Sequence, residues 1–161
     1  MTRMAVALIA LAVAACAGTP AQSPEPTGAH DSHSPISSES VAPTLQATVE
    51  EASEAPAGAI DILMTCCPSF EPTDVTAEAG DVVFFLRNDK GDGLAAVHNF
   101  FLGTDVDAPP LAQSPTLMHG ESLVFTVYGL EAGTYTYWCT IPAPDGRPHS
   151  AFGMIGTLTV T

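Results

Sequence analysis

Cys139, His149 and Met154 fall within sixteen residues near the C-terminus, in W-C-T-I-P-A-P-D-G-R-P-H-S-A-F-G-M, and His98 stands upstream in A-V-H-N-F-F. One thiolate, two imidazoles and one thioether form the donor set of a blue-copper site, with two nitrogens and a sulfur in a trigonal arrangement and a weak thioether on the axis. Its chemistry is the passage of single electrons. Taken singly, a cysteine of this kind is more often a small buried hydrophobe, a histidine a satisfied core or surface residue, and a methionine core packing. Few functions other than copper ligation need all four together.

Those residues must be delivered by strands. A strand-like run, Thr134 to Trp138, leads into Cys139, and a second, Ile155 to Thr161, follows Met154 at once. Three candidate ligands thus lie on one hairpin loop, and the fourth on a distant strand. Period-two alternation with turn punctuation recurs every eight to twelve residues, the pattern of an antiparallel sandwich. Strands are expected at Ile60 to Thr65, Val75 to Ala77, Val82 to Arg87, Val97 to Leu102, Glu121 to Tyr128, Gly133 to Cys139 and Ile155 to Thr161, with at most one helical turn between residues 104 and 118. The expected fold is all-β, an antiparallel Greek-key sandwich over residues 58–161. This stretch holds every aromatic residue of the chain, and about 100 residues suffice for one small core.

The preceding residues have another character. Arg3 and the ten-residue apolar run Met4 to Val13 read as a signal peptide over residues 1–15, the run being too short to span a bilayer. It ends in Val13-Ala14-Ala15-Cys16, which resembles the lipobox of bacterial lipoproteins, so Cys16 is expected to be the lipidated first residue of an exported protein. Membrane contact is expected through that lipid alone, in the periplasm or at the cell surface. Residues 17–57 hold six prolines and no Phe, Tyr, Trp, Lys or Arg. Such a composition buries too little apolar area to offset its backbone entropy, so residues 16–57 are expected to be a disordered tether. Its ~40 residues could reach on the order of 130 Å extended and roughly 35 Å as a coil. His30 and His33 within it are at most weak metal binders.

The chain carries −14, from 18 acidic and 4 basic residues. In residues 58–161, twelve acids against Arg87, Lys90 and Arg147 leave −9. That excludes nucleic acid or an anionic membrane surface as the ligand and suits a basic or neutral protein partner.

The runs A-G-D-V-V-F-F-L-R-N, H-N-F, G-E-S-L-V-F-T-V, G-T-Y-T-Y-W-C-T-I-P and H-S-A-F-G-M-I-G-T-L-T-V resemble, in order and spacing, the cupredoxin family of small blue-copper proteins. The resemblance covers roughly residues 59–161. It implies one copper ion held by His98, Cys139, His149 and Met154, with Asn99 and Thr140 hydrogen-bonded across the site to orient the thiolate. It also implies an electron carrier rather than an enzyme. Redox protein partners would dock near His149, whose ring edge would face the surface among Pro142, Ala143, Pro144, Ala151 and Phe152. A monomer is expected. Many relatives place this histidine soon after the cysteine in an Ile-Pro-Gly-His run, whereas here Ala143 to Pro148 intervene, so the ligand loop is longer.

The rival reading is an extracytoplasmic copper chaperone or store, which would favour exposed Met-rich or His-rich sites. A multicopper enzyme would need histidines beside Cys139, where Trp138 and Thr140 stand. Tyr135 fits a tyrosine-corner position. The adjacent Cys66 and Cys67 are not absorbed by the copper reading. They could be a strained vicinal disulfide, thiols, an intermolecular link or a second metal site without nearby sequence partners.

Overall fold

The structure, a computed structural model, describes residues 44–88 and 96–161. The signal run, Cys16, His30, His33 and the tether before residue 44 lie outside the described residues. Among the described residues the regular elements are ten strands and one 3-10 turn. The strands are β1 Ala47–Glu51, β2 Ile60–Thr65, β3 Ser69–Glu71, β4 Asp74–Ala77, β5 Gly80–Asn88, β6 Phe101–Gly103, β7 Ala112–Gln113, β8 Ser122–Leu130, β9 Gly133–Trp138 and β10 Ile155–Val160, and the 3-10 turn is His149–Phe152.

The strands form two five-stranded sheets, ordered β1-β8-β5-β2-β3 and β4-β10-β9-β6-β7. The expected sandwich is therefore present. Its pairings are antiparallel except for β2 with β5 and β4 with β10, which run parallel. Alternation explains the layering. Ile62 and Met64 of β2, Val82, Phe84 and Leu86 of β5, Leu123, Phe125 and Val127 of β8, and Leu158 and Val160 of β10 all point into one core. Phe70, Phe84, Phe100 and Tyr137 interlock at its centre, with Phe100 stacked on Tyr137 at 5.0 Å between centroids. Gly156 sits opposite Tyr137 in the β9–β10 ladder. A Cβ there would stand 2.1 Å from the Tyr137 ring, so the ring crosses the strand only because that residue is glycine. The Tyr137 hydroxyl donates to the Pro72 carbonyl at 2.8 Å.

Two expectations change. The stretch expected to be tether through residue 57 contains β1, which pairs antiparallel with β8 from Ala47–Val127 to Glu51–Leu123. All five β1 residues are exposed, so the backbone ladder rather than apolar burial holds this strand, and composition gave no sign of it. The fourth strand, expected from Val97, begins only at Phe101; His98 instead makes an isolated bridge with Leu117. Tyr135 bears out its corner position: its hydroxyl donates to the Glu131 carbonyl at 3.0 Å.

Candidate metal centre

The site lies at one end of the sandwich, where β9 stops and β10 starts. Cys139 follows the last residue of β9, Met154 precedes the first of β10, and His149 opens the 3-10 turn between them. The backbone ties these ends together. The Cys139 amide donates to the Met154 carbonyl at 3.2 Å, Ser150 to Cys139 at 3.0 Å, Met154 to His149 at 3.2 Å and His149 to Ile141 at 2.8 Å. The residues that lengthen the loop close on themselves. Pro142 bridges Pro148, and the Ala143 amide donates to the Arg147 carbonyl at 2.8 Å. Gly146, at φ +85°, supplies the left-handed turn. Asp145 pairs with Arg147, whose guanidinium lies 4.2 Å above the Phe152 ring. The insertion is thus a self-contained turn, and His149 still reaches the site.

His98 comes from the segment that leads into β6, the neighbour of β9 in the same sheet. Its amide and carbonyl pair with Leu117 at 3.1 and 2.8 Å. The buried Asn88, at the end of β5, donates through its side chain to the carbonyls of Ala96 and Leu117 at 2.9 and 3.0 Å. Asn88 thereby fixes both sides of the bridge that carries His98. Sequence reasoning missed it; its only mark was a polar residue closing an apolar strand.

His98, Cys139 and His149 converge. Their donor atoms all lie within 4.8 Å of one another. The Cys139 sulfur is 3.9 Å from His98 Nδ1 and 3.6 Å from His149 Nδ1, and the two Nδ1 atoms are 3.2 Å apart. Metal–nitrogen bonds of about 2.0–2.1 Å and a metal–sulfur bond of about 2.3 Å in a trigonal set would separate the donors by about 3.5–3.8 Å. The observed spacings bracket that range, so one first-row ion fits among the three. Met154 is fully buried in the same core cluster as Cys139, and its backbone is bonded to both Cys139 and His149.

The electrostatics favour a metal over a proton. Burial, and then the neighbouring His149, lower the His98 pKa to about 4, with the Thr65 carbonyl opposing the shift. Burial also lowers that of His149. Both rings are therefore neutral near pH 7, as ligands must be. The Nε2 of His98 is buried on the far side of the ring, and its Nδ1, near Cys139 and His149, is the atom turned to the site. Burial pushes the Cys139 thiol up, against the pull of the Asn99 and Ile141 amides. A bound cation is the ordinary means of deprotonating such a sulfur. Asn99 and Thr140 hold each other across the site: Asn99 Nδ2 donates to Thr140 Oγ1 at 2.8 Å, and the Thr140 amide donates to Asn99 Oδ1 at 2.9 Å. That pair ties the His98 segment to the Cys139 segment.

Comparison with known proteins points the same way. The family described as copper binding proteins, plastocyanin/azurin family, matches residues 67–161. A plastocyanin from Prochlorothrix hollandica is 31% identical over 96 residues, covering 58% of this chain and 63% of that protein, under two thirds of its length. A plastocyanin from Scenedesmus fuscus is 34% identical over 98 residues, covering 56% of this chain and 85% of that protein. Among solved structures, auracyanin B superposes with a TM-score of 0.51 at 28% identity, covering 69% of this chain and 94% of its own. An auracyanin from Roseiflexus castenholzii gives 0.53 at 22% identity, covering 66% and 99%, a likeness of fold alone.

Proposed function

The chain belongs to the plastocyanin/azurin family of copper-binding proteins, and on that premise we propose that it is a one-electron carrier whose copper is held by His98, Cys139, His149 and Met154. The observation that carries this reading is the buried convergence of two Nδ1 atoms and one sulfur within bonding reach of a single ion. Copper bound there supplies a one-electron couple between Cu(I) and Cu(II). The protein's part is to keep the donors where they are. His98 and Cys139 are buried, their strand ends are cross-tied, and Asn99 with Thr140 joins the two segments that carry them, so little need move when charge changes. Second-neighbour hydrogen bonds of this kind set ligand orientation and potential.

His149 is the half-buried member of the set. It lines a groove of about 700 Å³ with Val97, Pro142, Pro144 and Phe152. Phe152 is 43% exposed. That apolar groove is the proposed exit for the electron and the docking face for a redox protein, which the acidic surface would prefer basic or neutral. No catalytic step is assigned. The copper chaperone or store is the weaker alternative, because a releasing site keeps its donors accessible, whereas His98, Cys139 and Met154 are buried. The domain is proposed to act outside the cytoplasm as a monomer, on a tether from a lipidated Cys16. Among the described residues no helix is long and apolar enough to cross a membrane.

The test is a visible spectrum. The full chain with Cu(II) is expected to show an intense thiolate-to-copper band, and Cys139→Ser to lose it while keeping its far-ultraviolet dichroism. A colourless copper complex in the parent would refute the assignment. Intact mass of the membrane fraction tests Cys16: an unmodified mature N-terminus ends the anchor proposal.

A further inference from the structure

The Cys66-Cys67 pair takes no part in the centre just described, yet the fold brings it to the same groove. β2 and β3 pair from Thr65–Ser69 inward, so Cys66, Cys67 and Pro68 form the three-residue tip of that hairpin. All three line the groove that His98 and His149 also line. No disulfide joins the two cysteines; their sulfurs are 3.9 Å apart, with Cys67 exposed and Cys66 partly so. Cys67 also has φ +65°, the only positive φ among the described non-glycine residues. A tight turn at such a position would take Gly or Asn with less strain, and strained residues of this type gather at functional sites.

From this geometry we propose that Cys66 and Cys67 form a second, accessible metal site that takes a soft monovalent ion, Cu(I), as a two-thiolate chelate. Soft thiolates favour Cu(I), as they do zinc and iron–sulfur clusters, and copper is the ion that the neighbouring centre is proposed to take. Two metal–sulfur bonds of about 2.3 Å at a trigonal angle place their sulfurs about 4.0 Å apart, against the 3.9 Å observed. A trigonal ion held by two thiolates keeps a third position for a further donor, as an exchange site requires. The competing fate, a disulfide, is disfavoured by geometry. Neighbouring Cα atoms stand about 3.8 Å apart across a trans peptide, short of the about 4.4–6.8 Å that disulfides usually span. On binding, both thiol protons pass to solvent and the ion remains Cu(I), so no oxidant or reductant is needed. The site is separate from Cys139 and opens on the groove that leads to it. It therefore suits the capture of copper before its delivery to the enclosed centre.

The experiment titrates Cu(I) under anaerobic conditions against a bicinchoninate competitor. It uses the full chain with Cys16→Ser, so that only Cys66, Cys67 and Cys139 remain as thiols. Two equivalents are expected for this chain and one for the same chain carrying Cys66→Ser with Cys67→Ser. Cys67→Gly, which relaxes the left-handed turn, is expected to lose the second equivalent while folding at least as well. A merely structural role for Cys67 would leave the stoichiometry at two. The Cu(II) band is read on each protein, so failure of the Cys139 assignment shows as absent colour, separately from the count. One equivalent in the parent overturns the proposal. So does a second equivalent that survives both substitutions, or an isolated chain whose mass is lower by two hydrogens at these cysteines.

Discussion

His98 and His149 both turn Nδ1 toward the Cys139 sulfur, at 3.9 and 3.6 Å, but from contrasting ground. His98 is 1% exposed, on a segment fixed by its bridge to Leu117 and by the buried Asn88. It belongs to the wall of the sandwich. His149 belongs to a loop: half-buried, at the head of a 3-10 turn, facing the groove. The difference teaches how one metal site can be both rigid and reachable. The wall sets where the ion sits, and the loop decides what approaches it. The loop can be long because its two ends are knotted at Cys139, His149 and Met154 before the inserted turn begins to matter.

The largest expected effect separates the two histidines directly. His98→Ala and His149→Ala should each abolish the intense visible band. Added imidazole should restore colour more readily in the His149 variant, whose ring is half-buried at the groove, than in the His98 variant, where the residue is 1% exposed at the groove's inner edge. Equal rescue of both, read by titrating imidazole against absorbance, would break the distinction between wall and loop.

Next in size is the support behind the wall. Asn88→Ala strips the donor from two carbonyls that carry the His98 bridge. The Leu117 carbonyl keeps the His98 amide, so the Ala96 carbonyl is the one that loses its Asn88 donor. An unmet acceptor costs about 1–3 kcal/mol, and the expected loss of stability by urea denaturation is of that size. The copper band should broaden or shift, because the His98 segment is no longer held in one place. An unchanged spectrum with unchanged stability would show that the bridge holds itself.

The four ligand candidates were legible in the sequence because ligand chemistry depends on residue type, and type is what a sequence records. Strand alternation exposed most of the sandwich for a similar reason: burial on one face leaves a mark at every second residue, as in Ile62 and Met64 or Phe125 and Val127. What escaped was held by backbone alone. β1 has no buried residue, so Ala47–Glu51 looked like more of the polar tether. Asn88 works through two carbonyls, which no pattern of side chains reveals. The bridge at His98 broke the expected strand because the chain there serves Leu117 across the wall rather than a continuous ladder. The proximity of Cys66 and Cys67 to the histidines arises from a hairpin tip folding over the site, a long-range placement with no local signature.

A smaller effect is expected at Met154, the buried residue at the exit of the loop. Met154→Leu conserves volume, so it should cost under about 1.5 kcal/mol. The three stronger donors remain, and colour should persist. The midpoint potential should rise, since the weak thioether is replaced by a less polar group. A voltammetric midpoint that falls, or copper that passes readily to a chelator, would show that the loop supplies more of the binding than its axial place allows.

The smallest expected effect on the copper centre tests the inserted turn itself. Arg147 pairs with Asp145 and lies over Phe152, but the two charged side chains are 60% and 47% exposed. Exposed pairs contribute about 0–1 kcal/mol, and an exposed cation over a ring about 0.5–1. Arg147→Gln should therefore lower stability by about 0.5–2 kcal/mol and leave the visible band in place, because the backbone bonds at Cys139, His149 and Met154 do not pass through it. What should change is the groove: Phe152 loses its cover, so association with a redox partner should shift in rate while the spectrum does not. Stopped-flow reduction at two ionic strengths, beside a denaturation curve, reads both. If Arg147→Gln instead bleaches the copper band, the turn is a structural part of the centre, and the loop's length is no longer separable from the site it carries.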